Sequence, residues 1–260
     1  MSTLQIIWYG LLAFLFIGYT VLDGFDLGVG IRHLFLRDEA ERKRNLNSIA
    51  PFWDGNEVWL VTAGGATFAA FPAVYASAFS SLYLPLMLLL VALIARAVSI
   101  EFRASEATPS ARGLWDLLFG LSSLLAVILF GAALGNILRG LSLDSAGNYV
   151  GSFLGLLNPF ALLVGLLNVL MLATHGGLYA QVRTDGDLAL RTRHWTQYVW
   201  IAYLPVVVIV VVVAALTQRH LLANYLAYPV LWIVPGLAVL AIVLAGIWNA
   251  GGVPRRAFVA

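Results

Sequence analysis

The chain has 260 residues, of which 61% are hydrophobic and only 11% charged, and its mean hydropathy is +0.90. Such a composition excludes a single soluble domain, and recurrent long apolar runs exclude soluble-enzyme, nucleic-acid-binding and disordered classes. The net charge of +2 fits basic loops rather than a polyanion-binding surface, and the lack of cysteine excludes disulfides and thiolate-held metal.

The apolar runs predict an all-α, polytopic transmembrane helix bundle of about seven spans. They fall at residues 4–22 (with a continuation toward 36), 50–71, 74–100, 114–138, 154–180, 198–217 and 230–248. Residues 1–260 therefore read as a single transmembrane domain, with no stretch left for a soluble one. The first span follows Met1-Ser2-Thr3-Leu4-Gln5, which has no basic n-region, and leads into Asp23 and Asp26 rather than a small-residue cleavage site, so it reads as a retained helix. Linker character is confined to 37–47, 105–112, 141–150 and 183–194.

The end of the first span carries Asp23 and Asp26 in Asp23-Gly24-Phe25-Asp26-Leu27-Gly28-Val29-Gly30, three residues apart and thus on one helix face. An ionised Asp near the bilayer centre costs about 2.5–3.5 kcal/mol, so such a residue is a functional candidate. The second span repeats the theme. Its uninterrupted apolar part, 58–71, would rise only about 21 Å against the roughly 30 Å needed, and Pro72 limits extension at the far end. The span must borrow from 50–57, which draws Asp54 and Glu57 into the membrane. A buried carboxylate can take and give a proton, so Asp54, with Glu57 and Asp26 as neighbours, forms a candidate proton path. The structural alternative is that the four acids cap helix ends and pair with Arg32, Arg42 or Arg44; it is preferred for Asp23, at the edge of its apolar run, and the functional reading for Asp54. Gly24, Gly28, Gly64 and Gly65 read as helix-packing positions.

The third span closes with Arg96, Glu101 and Arg103, for which snorkelling and a local ion pair suffice. Of the four histidines, His33, His194 and His220 stand beside polar loop residues and read as solvated. His175, in the fifth span, is the one embedded in apolar sequence, and a lone His there reads as hydrogen-bonded across helices at a packing interface. Met87 and Met171 read as packing residues, so no metal ligand set is assigned. Thirteen of the fifteen Lys and Arg side chains fall on one set of alternate turnarounds, leaving Arg139 and Arg219 on the other. The positive-inside rule then puts the N-terminus outside and the C-terminus in the cytoplasm.

Three sequence blocks closely resemble subunit II of the cytochrome bd-type quinol oxidases, including the cyanide-insensitive ones. They are the Asp23–Gly30 block, Asn47-Ser48-Ile49-Ala50-Pro51-Phe52-Trp53-Asp54-Gly55-Asn56-Glu57-Val58-Trp59-Leu60, and Ala63-Gly64-Gly65 through Phe68-Ala69-Ala70-Phe71-Pro72 and Tyr75. Glu101-Phe102-Arg103, His175-Gly176 and Arg183-Thr184 continue it in order. The resemblance implies a non-haem, multi-pass subunit of the bacterial cytoplasmic (inner) membrane with no catalytic residue of its own. Its expected partner is a heterodimeric, haem-bearing subunit I that oxidises quinol, reduces oxygen to water and holds haems b and d (or b only). A small single-helix subunit and membrane lipid are further expected partners, and nucleic acid is not.

The same resemblance implies a proton path from the cytoplasm that includes Asp54, and a candidate oxygen path near Trp59. Members usually carry about eight helices, so it also implies that a final helix is missing from these 260 residues. On residue chemistry alone, a proton-coupled transporter and a purely structural membrane subunit stay open as alternatives.

The charge asymmetry gives a direct test in this cysteine-free chain. A membrane-impermeant maleimide added to intact spheroplasts should label Ser145→Cys, in 141–150, and leave Ser110→Cys, in 105–112, unlabelled until the membrane is opened; the reverse pattern would invert the topology.

Overall fold

The structure, a computed structural model, describes residues 2–260 and is all-helical apart from one isolated bridge between Leu143 and Tyr149. The first helix, α1 (Thr3–His33), starts on a reciprocal cap: Ser2 Oγ accepts from the Gln5 amide and Gln5 Oε1 accepts from the Ser2 amide at 2.8 Å. It runs unbroken for 31 residues, about 46 Å, which exceeds the hydrocarbon thickness. Asp23 through His33 are all buried, whereas most of its first half is exposed.

The segment expected to be a linker at 37–47 forms a helix instead, α2 (Glu39–Ile49). Asp38 caps it by accepting from the amides of Ala40 and Glu41, Glu39 and Glu41 suit the positive end of its dipole, and Leu46 and Ile49 bury against Phe25 and Val29. Helix α3 (Trp53–Ala70) then runs antiparallel along α1. At 18 residues, about 27 Å, and with Asp54, Asn56 and Glu57 in its first turns, it is too polar to count as a membrane span by length and hydropathy. Among the described residues, six helices meet that criterion, against about seven spans expected. The composition of α3 suits a helix shielded by protein, not one bathed in lipid.

Pro72 opens α4 (Pro72–Ser81), where its missing amide costs nothing. The expected third span is consequently divided at Leu82 into α4 and α5 (Tyr83–Ser105). Helix α6 (Pro109–Arg139) ends on Gly140, whose φ of 95° lies in the left-handed region open to glycine. Asn158 caps α7 (Pro159–Val182) by accepting from the Ala161 amide, and its own amide group donates to Asn136 Oδ1 at 2.8 Å, which fixes the α6 end against the α7 start. Helix α8 (Gly186–Thr217) takes up most of the expected linker 183–194. The short α9 (Ala223–Ala227), then α10 (Ile233–Ala250) and α11 (Pro254–Val259) complete the chain.

Helices α1 and α7 form the centre of the bundle: α1 packs on α3, α6 and α7, and α7 on α6 and α8. Their crossing depends on glycine. A Cβ on Gly28 would collide with the Leu172 carbonyl oxygen, and one on Gly176 with the backbone of Gly28 and Val29. A Cβ on Gly24 would press to 3.0 Å on the Leu172 side chain, whereas one on Gly64 or Gly65 would meet no atom within 4 Å. Gly28→Leu should therefore lower the melting temperature or the yield of folded protein, at a cost of at least about 1–3 kcal/mol from overpacking, while Gly64→Ala leaves both unchanged in the isolated chain.

Candidate functional site

Two buried polar assemblies occupy the end of the bundle where α1, α3, α5 and α6 meet. The first is centred on Arg96 of α5, which is fully buried. Its guanidinium donates to Asp23 Oδ1 of α1 at 2.9 Å and to Glu57 Oε1 of α3 at 2.8 Å, so one side chain ties three helices together. Asp26, one turn beyond Asp23, is also fully buried; its Oδ2 accepts from Asn56 Nδ2 of α3 at 2.7 Å. The same Asn56 amide donates to the Leu22 carbonyl at 3.3 Å, fixing the amide orientation. Helical spacing explains the assembly: Asp23 and Asp26 share a face of α1, and Asn56 and Glu57 point from α3 toward it.

This geometry corrects two sequence expectations. Arg96 does not snorkel, because its whole side chain lies inside the bundle with two carboxylates to neutralise it. Asp23 does not cap a helix end, because α1 continues ten residues beyond it. The structure brings Glu57 and Asp26 into one assembly and leaves Asp54 outside it. Asp54 is exposed on the first turn of α3, on the face that also presents Val58 and Val61, and it makes no ion pair among the described residues. Trp59 lies between α3 and α1, its ring covering Gly18 and meeting Phe14 at a centroid distance of 5.6 Å.

The second assembly was not anticipated in the sequence. His33 is buried, not solvated: its Nε2 lies 2.6 Å from Asp116 Oδ1 of α6, and its Nδ1 lies 3.2 Å from Asn45 Nδ2 of α2. Asn45 Oδ1 accepts from Arg32, and its Nδ2 also donates to the Val29 carbonyl at 3.1 Å. The amide nitrogen therefore faces His33, which makes Nδ1 the acceptor and Nε2–H the donor to Asp116. Arg103 pairs with Asp116 and with Glu39 (2.9 Å), and Arg42 reaches Asp116 at 3.3 Å. Through Arg32 to Thr192, and through Gln181 to Thr196 and Asn249, the chain of bonds extends across α8, α7 and α10.

His175 occupies neither assembly. Its Nε2 is 3.0 Å from the Val21 carbonyl of α1, and its ring stacks on Phe258 of α11 at 4.9 Å, so it joins three elements as a packing residue. Both ring nitrogens of His33 are engaged, Nε2 of His175 and Nε2 of His220 each face a backbone carbonyl, and among the described residues no group of three or more His, Asp or Glu side chains is placed to hold a metal ion.

Removing the central cation exposes what it compensates. Arg96→Met leaves the buried Asp23 and the half-buried Glu57 without a counter-charge and should destabilise the folded protein by about 3–5 kcal/mol. Arg112→Met, which breaks a partly exposed 3.4 Å pair with Glu39, should cost under about 1 kcal/mol. Thermal unfolding of the purified variants checks the contrast, and equal losses would contradict it.

The comparisons with known proteins agree on one family. The family model for cytochrome bd terminal oxidase subunit II matches residues 4–260. Cytochrome bd-I ubiquinol oxidase subunit 2 of Escherichia coli (strain K12) is 45% identical over 201 residues, which cover 75% of this chain and 53% of that protein. Cytochrome bd ubiquinol oxidase subunit 2 of Bacillus subtilis (strain 168) is 38% identical over 198 residues, covering 76% of this chain and 59% of that one. The chain thus spans little more than half the length of these curated relatives. The structure of bd oxidase from Geobacillus thermodenitrificans has the same fold, with a TM-score of 0.75 at 21% identity over 96% of this chain and 77% of that chain. With a family match running from residue 4 to residue 260, this multi-pass helical chain belongs to the cytochrome bd terminal oxidase subunit II family.

Proposed function

We propose that the chain serves as the non-haem subunit II of a quinol:oxygen oxidoreductase in the bacterial cytoplasmic membrane. Its partner is a haem-bearing subunit I, which holds the haems, oxidises quinol and reduces oxygen. A small single-helix subunit completes the assembly in this reading. The N-terminus lies outside and the C-terminus in the cytoplasm, an orientation supported by the loop charges. The family match over residues 4–260 is the observation that carries this reading. A transporter role has no comparable support.

Within the complex, the chain would support assembly of subunit I and deliver protons from the cytoplasm. Oxygen reduction consumes protons, and taking them from the cytoplasmic side requires titratable groups that reach inward from that side. Asp54, Glu57 and Asp26 supply such groups. Glu57 and Asp26 converge on the Arg96 assembly, and Asp54 stands one turn before Glu57 on the outer face of α3, where a partner helix can meet it. Exposed apolar residues flanking it, Val58, Val61 and Phe68 on α3 with Phe14 and Ile17 on α1, suit a protein-covered face. Trp59, set against Gly18 in that region, suits the lining of an apolar oxygen path.

Asp54→Asn keeps the side-chain shape and removes the ionisable proton. In the assembled oxidase it should slow quinol oxidation, or membrane-potential generation, by an order of magnitude or more while haem content stays unchanged. Loss of haem together with activity would assign Asp54 a structural role, and unchanged turnover and potential would remove it from the path.

A further inference from the structure

The Arg96 assembly is unbalanced in charge. Three carboxylates, Asp23, Asp26 and Glu57, face one guanidinium, and Arg96 is the single cation paired with any of them among the described residues. The other groups that reach the assembly bring no positive charge: Tyr19, one turn before Asp23 on α1, and Asn56 on α3 are uncharged, and Asp54, one turn before Glu57, is a further carboxyl group at the exposed edge. From α7, His175 is turned to the Val21 carbonyl and the Tyr179 hydroxyl donates to the Ser48 carbonyl. Even with Asp23 and Glu57 both counted against Arg96, negative charge is left over. Asp26, which has no cation within ion-pair reach, would add an unpaired ion at a fully buried position.

A second observation points to the same place. Four buried polar atoms there have no hydrogen-bond partner: Tyr19 Oη, Asp23 Oδ2, Asp26 Oδ1 and Arg96 Nε. They offer two donors, the tyrosine hydroxyl and the guanidinium N–H, and two carboxylate acceptors, the mixture of partners that an internal water needs. Buried polar groups of this kind are normally satisfied, so four orphans in one assembly mark an occupant.

We propose that this assembly is an internal proton and water site in which Asp26 holds one exchangeable proton on Oδ1. Internal water accepts hydrogen bonds from that O–H and from Arg96 Nε–H and donates to Asp23 Oδ2. Asn56 holds the other Asp26 oxygen and sets the side-chain direction. On release, the Asp26 O–H bond breaks, the proton passes to the adjacent water, and the carboxylate left behind lies in the field of Arg96. On reloading, a water-borne proton returns to the same oxygen, so no oxidant or reductant is involved. The use of the stored proton rests on the delivery reading above; its presence on Asp26 does not.

Infrared difference spectroscopy of the assembled oxidase tests this at neutral pH. The native complex should show the carbonyl band of a protonated carboxylic acid that shifts in deuterium oxide. That band should disappear in Asp26→Asn, move without disappearing in Asp26→Glu, and persist in Asp54→Asn. Asp26→Asn preserves an acceptor for Asn56, and unchanged haem content shows that the complex has assembled. A band that survives in Asp26→Asn, or no exchangeable band in the native complex, would overturn the proposal. So would a band that appears only when sodium is replaced by choline, because sodium would then be the native occupant. An Asp26 band accompanied by normal turnover in Asp26→Asn would uphold the stored proton and refute the delivery path, so the two failures remain distinguishable.

Discussion

A guanidinium sealed inside a membrane bundle must be neutralised where it stands, and the position of Arg96 dictates much else in this protein. Bulk water does not reach it, so its two carboxylate partners must be brought to it, one from α1 and one from α3. That requirement fixes the rotation of three helices at once. It also explains how a helix as polar as α3 is held in the structure: its Asn56 and Glu57 side chains are compensated by contacts with α1 and α5. The same contacts hold Asp26 at a fully buried position, with Asn56 fixing one of its carboxyl oxygens.

The electrostatic tie works because the backbones around it cannot drift. Helix α1 crosses α7 with glycine on both sides of the contact, and Asn45 and His33 anchor its far end to α2 and α6. The His33–Asp116–Arg103 group has a different character from the Arg96 assembly. Each of its members has several partners, and Asn45 selects one tautomer of the imidazole. A network so fully satisfied favours a single arrangement, whereas the Arg96 assembly keeps four polar atoms without a partner.

Hydropathy made most of the fold legible, because a helix that faces lipid advertises its length and boundaries. It was a weaker guide at α3, where Asn56 and Glu57 are compensated by other helices, and at α2, whose amphipathic turns looked like a charged loop until Leu46 and Ile49 found a core. The acids of the candidate site were legible as misplaced charges. Their organiser was not: Arg96 is separated from Asp23 by 73 residues and from Glu57 by 39, and a single arginine near the end of an apolar run resembles an interfacial one. The available signal was the count of charges within the spans, since unmatched acids in two helices call for a base in a third. His33 was hidden for the same reason, its partner Asp116 being 83 residues away.

The placement of Asp54 has a mechanistic consequence. It stands three residues before Glu57 on α3, so the two carboxyl groups are neighbours on the helix surface, Asp54 at its exposed edge and Glu57 reaching inward to Arg96. A proton moving between them would pass along the first turn of α3, where Phe52 and Asp54 are exposed and Trp53 is half-buried. In this chain taken alone, that entrance is open on its outer side. On the proposed reading, the partner subunit supplies the missing wall: its surface would cover Val58 and Val61, bury Asp54 against the interface and enclose the water that joins it to Glu57. The proton path would then be a property of the interface, with this chain contributing the carboxyl groups and the fixed cation, and the partner contributing the seal.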